Sequence, residues 1–590
     1  MQNNMIVIWL DYEEGVDSYS KEKDSCGSLS NSHCLSAATV SQGFSSDVII
    51  QGNFTEDEVS NLVDLINSGS LPSKLTEISS QTVGASFGDE TLQKTLVAGI
   101  IGISAIIIIM MLFYHFAGFI AAISMMLYTF LVFLVFWLVG GVLTLPGIAA
   151  LVLGIGMAVD STVITFARIK DELYKGKSLS TAFKLGSKYS MSSIVDANLT
   201  TLIVAIIMFI FGESSIKGFA TMLIITVIVT MFTMVYLNRL LLKVFVKTGY
   251  FEDKTRMFIN VKKDDIPDVS KNEEVKVAPF KNVNFFKYKV PCILLSVIII
   301  AVGAVMFATK GFNLGIDYQA GTDITISTEE KVTNKDLKAD LKEFGFDVSQ
   351  INRTDEEISV RVADAMSGEE VKDVNSYLEE KYDAKVNIGV VSNIVKQELI
   401  KNAILSVLVA LIGIILYVSV RFKFSYAVGG VAALAHDVLM IFALFALCRL
   451  EVSSMFIAAI LTIIGYSIND TIVTFDRIRE NLAKEDEKKV TKEKIEEVCN
   501  RSVQETFTRT MITSISTLLP VVVLLIMGSN EILTFNMAML FGLIAGTYSS
   551  IFISVLLFMI IEKKNVGKPK KKKIIYTDEY EEKKIKGINC

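Results

Sequence analysis

Long apolar runs alternate with short polar breaks along most of the chain. Eleven such runs stand out, at roughly 95–114, 117–138, 145–168, 192–211, 217–240, 290–308, 402–420, 425–448, 452–475, 509–527 and 533–561. Each approaches or exceeds the ~20 residues that cross a hydrocarbon core as helix, which predicts about eleven transmembrane helices. Three stretches break the pattern. Residues 1–92 are polar and mixed, with strand-like pieces at Met5–Leu10 and Asp47–Gln51 and an amphipathic helix near Glu56–Asn67. Residues 243–288 are charged, and 311–400 read as a soluble domain. Within that domain Asp323–Ser327 alternates as a strand, Asn334–Phe344 as a helix, and Val348–Arg353 and Glu357–Val362 as strands. Glu369–Tyr382 has helical period, and Lys385–Val391 returns to strand. The order βαββαβ is the ferredoxin-like pattern.

The expected organisation is therefore a polytopic α-helical membrane protein. Residues 1–92 are a soluble remnant, 93–242 a five-helix bundle and 243–288 a linker. A single helix follows at 289–310, then the ferredoxin-like α+β domain at 311–400, a second five-helix bundle at 401–562 and a basic tail at 563–590. The composition agrees: 51% of the 590 residues are hydrophobic, and the net charge of -6 matters less than its placement. Lys and Arg crowd the loops at 168–190 and after 475, whereas the breaks near Gly140, Glu213 and Asn530 carry almost none. The positive-inside rule then places 168–190, 241–288, 476–505 and the tail in the cytoplasm, with 1–92 and the ferredoxin-like domain outside. The run Lys568–Lys573 would favour anionic headgroups or act as a stop-transfer anchor. Six scattered cysteines and three histidines offer no metal-ligand spacing, although Cys26 and Cys34 could pair if exported. No nucleophile triad, phosphate loop or nucleotide motif is present, so no enzyme, cofactor, metal or nucleic-acid partner is expected.

The two five-helix blocks repeat one another. The third helix of the first ends Gly156-Met-Ala-Val-Asp160-Ser-Thr-Val-Ile-Thr165-Phe166-Ala-Arg168, and that of the second ends Gly465-Tyr-Ser-Ile-Asn469-Asp470-Thr-Ile-Val-Thr474-Phe475-Asp-Arg477. In both, a glycine lies one turn before the polar position, where a neighbouring helix can approach closely. In the following helix Asp196-Ala-Asn198-Leu-Thr200-Thr201 aligns with Arg509-Thr-Met-Ile-Thr513-Ser514, so an acid has been exchanged for a base. Repeats with polar groups at membrane depth suggest a transporter working at the interface between its halves.

Asp160 and Asp470 interrupt apolar helices, where an isolated carboxylate costs several kcal/mol unless paired, hydrated or protonated. Arg509 follows the loop after the Asp470 helix and could approach either acid. Such a group can take and release protons as its geometry changes, although a lone acid can also simply staple two helices. Asp196 is a supporting polar position or an interfacial cap. Asn198, Thr200, Asn469 and Thr513 could line a hydrated path or serve ordinary helix packing. His436, beside Asp437, reads as a packed, hydrogen-bonded histidine before a proton relay.

These residues resemble the SecD and SecF family of protein-export membrane subunits, here joined in one chain. The SecD-like signatures are Leu143-Thr-Leu-Pro146-Gly147, Val159-Asp160-Ser161, Asp196-Ala-Asn198-Leu-Thr200-Thr201 and Ile216-Lys-Gly-Phe-Ala220, preceded by Ile50–Thr55 and Ser68–Pro72. The SecF-like ones are Leu314-Gly315-Ile-Asp317-Tyr-Gln-Ala-Gly321-Thr322, His436-Asp437, Ile464–Thr471, Asp476–Asn481 and Arg509-Thr510. The resemblance implies a resistance-nodulation-division type fold and a proton-driven step late in export. It makes Asp160, Asp470 and Arg509 the functional charges. Implied partners are the Sec translocation channel, the motor ATPase indirectly, a membrane-protein insertase, unfolded exported polypeptide and the bilayer. Family members begin with a transmembrane helix and a large exported domain, so 1–92 is expected to be the end of that domain, with most of its substrate-gripping part missing. Where the family pattern has paired glycines, this chain has Ala320-Gly321. A small-molecule or lipid exporter of the same superfamily would need two large porter domains, whereas a non-transporting scaffold would tolerate neutral residues at Asp160 and Asp470.

Overall fold

A computed structural model describes residues 5–9, 18–23, 34–39, 60, 63, 79–83, 85–212, 214–267, 280, 283–328, 332–353, 358–485, 491–529 and 532–566. The strand expected at Asp47–Gln51, the helix at Glu56–Asn67 (Ser60 and Val63 apart), the signatures Ile50–Thr55 and Ser68–Pro72, and the Lys568–Lys573 run fall outside them. The chain divides into Met1–Glu77 and Ile78–Cys590. In the first unit β1 (Met5–Trp9) pairs antiparallel with β2 (Cys34–Thr39), Met5 opposite Thr39. Cys34 is buried and disulfide-bonded.

The second unit begins with β3 (Ser79–Val83) and enters α1 (Ala85–Leu138). The apolar part of α1, Gln93–Leu138, is 46 residues long, about twice what one span needs. It breaks at His115, whose φ of 47° and ψ of -121° leave the helical region, so the two spans expected at 95–114 and 117–138 meet there. Then come α2 (Leu145–Tyr174), α3 (Leu179–Phe211), α4 (Ser214–Thr230) and, through a π-helical Met231–Leu237, α5 (Asn238–Lys247). Pro146 at the first turn and the Thr144 side chain accepting from Gly147 N–H fix the start of α2. The second half opens with α6 (Lys289–Lys310).

The soluble domain carries β4 (Asn313–Leu314), a helical turn at Ile316–Gln319, β5 (Gly321–Ser327), α7 (Asn334–Glu343), β6 (Val348–Arg353), β7 (Ile358–Val362), α8 (Gly368–Tyr382) and β8 (Lys385–Val391). These match the expected elements to within a few residues. The antiparallel sheet order β3-β8-β5-β7-β6 contains the strand order of a ferredoxin-like unit. Ile324, Val360, Val386 and Ile388 point inward by strand alternation onto Leu337, Leu341, Val374 and Leu378 of the helices. One boundary moves. Ser79–Val83, grouped by sequence with 1–92, forms the edge strand of this later domain, because β8 offers a free edge that Ser79 to Val83 fill opposite Val391 to Asn387.

The second bundle comprises α9 (Asn393–Arg421), α10 (Phe424–Cys448), β9 (Glu451–Val452), α11 (Ser454–Ala483), α12 (Lys492–Met527) and α13 (Leu533–Asn565). The halves interlock around α2 and α11, whose apolar windows are both 94% buried, against 11% for the outer α6. Outward faces keep Ile100, Leu112, Phe130, Trp137 and Leu416 exposed, as lipid contact requires. The repeat glycines set the crossing. A Cβ on Gly156 of α2 would lie 3.2 Å from Thr517 Cα of α12, and one on Gly465 of α11 would lie 3.5 Å from Thr201 Cα of α3. Each half's glycine admits a helix of the other half.

Candidate functional site

Where the halves meet, α2 presents Asp160, α11 presents Asp470 and α12 presents Arg509, all buried. Arg509 Nη2 donates to Asp470 Oδ1 at 3.2 Å and lies 3.9 Å from Asp160 Oδ1. One guanidinium thus faces one acid from each half. With both acids ionised the trio carries one net negative charge in a low-dielectric interior, and binding one proton neutralises it. The protein leaves Asp160 Oδ1 and Arg509 Nε and Nη1 without a hydrogen-bond partner. A small cavity of mixed lining, with Asp160, Ser161, Asn198, Thr201, Tyr466 and Asn469 beside Met157 and Val227, opens at Asp160. Buried polar groups of this kind call for water, and the polar side chains on the cavity wall offer the two to four partners that a water needs.

The supporting positions divide. Thr200 Oγ1 donates to Asn469 Oδ1 at 2.9 Å across the halves, and Asn198 Nδ2 donates to Ser161 Oγ at 3.4 Å. Thr513 Oγ1 donates instead to the Thr510 carbonyl within its own helix. Asp196 is not with the cluster. It accepts from Tyr417 Oη and Arg421 Nε of α9, each at 2.8 Å, because Arg421 at the end of α9 supplies the cation its buried carboxylate needs. His436 is packed and bonded: Nδ1 lies 3.0 Å from Asp437 Oδ1 and Nε2 3.0 Å from Ser296 Oγ of α6. Asp437 also accepts from Ser467 of α11 at 2.5 Å and Ser549 of α13 at 2.8 Å. This one carboxylate ties α10, α11 and α13 together.

A second set of charges, missed as a site in the sequence, closes the basic end of the bundle. Arg168 of α2 donates to Glu480 of α11 at 2.9 Å, and Arg477 of α11 reaches Asp171 of α2 at 3.3 Å. With Phe166 aligned to Phe475, Arg168 matches Arg477 and Asp171 matches Glu480, so the repeats exchange ion pairs. The signal was an arginine with an acid three residues on in both copies. Arg477 also donates to Glu505 of α12 at 2.6 Å, and Ser193 of α3 donates to Asp476 at 2.8 Å.

Two repeated bundles, interlocked around paired acids and joined through a soluble domain, define a pseudo-symmetric membrane protein of the resistance-nodulation-division type. The family model described as "Protein export membrane protein SecD/SecF, C-terminal" matches residues 67–248 and 371–564, and that for the "SecD/SecF GG Motif" matches 305–332. The protein translocase subunit SecDF of Bacillus subtilis is 41% identical over 563 residues, covering 94% of this chain and 75% of that one. The SecDF subunit of Brucella abortus is 31% identical, covering 88% and 67%. The crystal structure of SecDF from Thermus thermophilus, described as a translocon-associated membrane protein, superposes with a TM-score of 0.75 at 31% identity, covering 91% of this chain and 71% of that one. The chain belongs to the SecD/SecF family of protein-export membrane proteins, accessory subunits of the Sec translocase.

Proposed function

We propose that the chain uses the proton gradient across the cytoplasmic membrane to drive the late translocation and release of exported polypeptides. The observation that carries this reading is the shared guanidinium: Arg509 stands between Asp470 of one half and Asp160 of the other. A proton arriving on either acid changes which carboxylate holds Arg509, and so changes how the halves attract one another. Alternate loading and release then rock the bundles, with the adjoining cavity supplying water on one side. The soluble domain faces outward and the end bearing Arg168 and Arg477 faces the cytoplasm, in keeping with the loop charges. In this role the chain works beside the Sec channel, after the motor ATPase, and with a membrane-protein insertase, on unfolded polypeptide. No covalent chemistry is asked of it.

The test is export in cells carrying Asp470→Asn, with membrane abundance measured alongside. Loss of export at normal abundance, with the gradient no longer accelerating the late step, is the expected result. Normal gradient-dependent export would remove the proton role and leave a scaffold that tolerates a neutral residue.

A further inference from the structure

The glycine-containing segment Leu314–Thr322 is not explained by the charge cluster, which lies within the bundle. Its own contacts give it a task. Before it, β4 pairs in parallel with β9, Asn313 opposite Glu451 and Leu314 opposite Val452. Gly315 N–H donates to the Val452 carbonyl at 2.9 Å. A Cβ on Gly315 would come 2.5 Å from Glu451 Oε1, at the tip of a side chain that would have to swing aside, and 3.3 Å from the Val452 carbonyl, so the lack of a side chain here eases the pairing of β4 with β9. Asp317 then accepts from the Ser454 N–H at 2.7 Å, and Ser454 is the first residue of α11. The carboxylate thereby satisfies an orphan donor and faces the positive end of the helix that carries Asp470. The buried Arg361 of β7 adds a third tie, donating to the Leu314 carbonyl at 2.9 Å and lying 3.6 Å from Glu451. After the turn, Gly321 has φ of 112° and a Cβ there would sit 2.4 Å from the Val362 carbonyl, which fixes the turn against β7.

We infer that Asp317 is a positioning residue that couples the proton site to the soluble domain by holding that domain on the first turn of α11. The inference rests on the proton-driven reading above. Asp470 lies on the same continuous helix, and a helix transmits axial shifts and rotations along its length. A movement of α11 when Asp470 changes partner therefore reaches β9, Ser454 and, through Asp317, β4 and the sheet. Tyr318, the next residue, is buried at a cavity lined by Ser454 and Ile457 of α11, by α9 and by Met208 and Phe211 of the first half. The junction thus meets both halves at once.

The test uses the full chain in vesicles and in cells. Asp317→Ala is expected to lower gradient-stimulated export about five- to tenfold at normal abundance, while proton uptake into vesicles stays as in the wild type. Asp317→Asn, whose amide oxygen still accepts from Ser454, is expected to restore most of the export. Equal losses of export and proton uptake in Asp317→Ala, or unimpaired export, would overturn the inference. A second measurement needs no export assay. Asp470→Asn should change amide hydrogen exchange at Asn313–Asp317 and Glu451–Ser454 by about threefold, and should not do so when Asp317→Ala is also present. Unchanged exchange overturns the coupling. A change in exchange without any gradient-dependent export in the wild type would instead sink the proposed function and leave the coupling standing.

Discussion

Replacing Arg477 by alanine removes the centre of the charge network at the basic end. Its guanidinium is almost wholly enclosed, at 7% exposure, and meets Asp171, Glu480 and Glu505 at 3.3, 3.3 and 2.6 Å. Truncation leaves these carboxylates facing one another across the two halves. Breaking a fully buried pair costs about 3–5 kcal/mol, but the three acids are roughly a third exposed and partly solvated, so about 2–3 kcal/mol is expected. The repeat-related Arg168 has one acid partner, Glu480, and is itself more exposed, which puts Arg168→Ala at about 1 kcal/mol or less. Cys499, a buried free thiol on α12, reports loosening when a thiol-reactive dye is added during heating in detergent. In a unit as large as Ile78–Cys590, Arg477→Ala should lower the midpoint by about 2–3 °C and Arg168→Ala by no more than about 1 °C. A double-mutant cycle with Asp171→Ala should give a coupling of about 1 kcal/mol or more. Equal midpoints for the two arginine variants, or a coupling near zero, would refute the view that Arg477 is the principal cross-half tie.

Further outcomes follow from single contacts. Asp437→Ala strands three donors, from His436, Ser467 and Ser549, and should cost about 3 kcal/mol in the same heating assay; Asp437→Asn, which keeps an acceptor, should cost visibly less. In the soluble domain, burial raises the Asp323 carboxyl above its ordinary 3.8, with Arg361 and Ser359 only partly opposing it. The folded state therefore holds this proton more tightly than the unfolded chain. The domain should gain stability as pH falls from neutral through the raised value, and that gain should level off below about 4. Asp323→Asn should flatten this slope, read by limited proteolysis of the domain across pH; an unchanged slope would remove Asp323 as its source.

Much of the architecture was legible because the physics is local. The strands and helices of the soluble domain follow side-chain alternation, and the spans follow apolar length. Asp160, Asp470 and Arg509 stood out because charge at membrane depth needs a reason. Sequence alone failed where the partner is distant. Asp196 carries no local sign that Arg421, more than two hundred residues on, completes it. The arginine with an acid three residues on recurs at Arg168 and Arg477, but that spacing equally fits an ion pair within one helix, and only the packing of α2 on α11 shows that the pairs are exchanged. Asp317 read as part of a family signature, and only the tertiary structure gives its carboxylate a helix to cap. The break at His115 was visible as a short gap between apolar runs, but not its backbone geometry.

The edge strand β3 has a consequence for how the chain is made. Val83 pairs opposite Asn387, about 300 residues later, so at about 5–20 residues per second β3 waits roughly 15–60 s for its partner to be synthesised. During that interval the whole first bundle has emerged while the segment in front of it still offers unpaired backbone to any other strand. Pairing of such low locality is slow, and the waiting edge is open to wrong partners. Completion of the sheet is therefore a late assembly checkpoint: β3 can dock only after β8 has been made and both have reached the same face of the membrane.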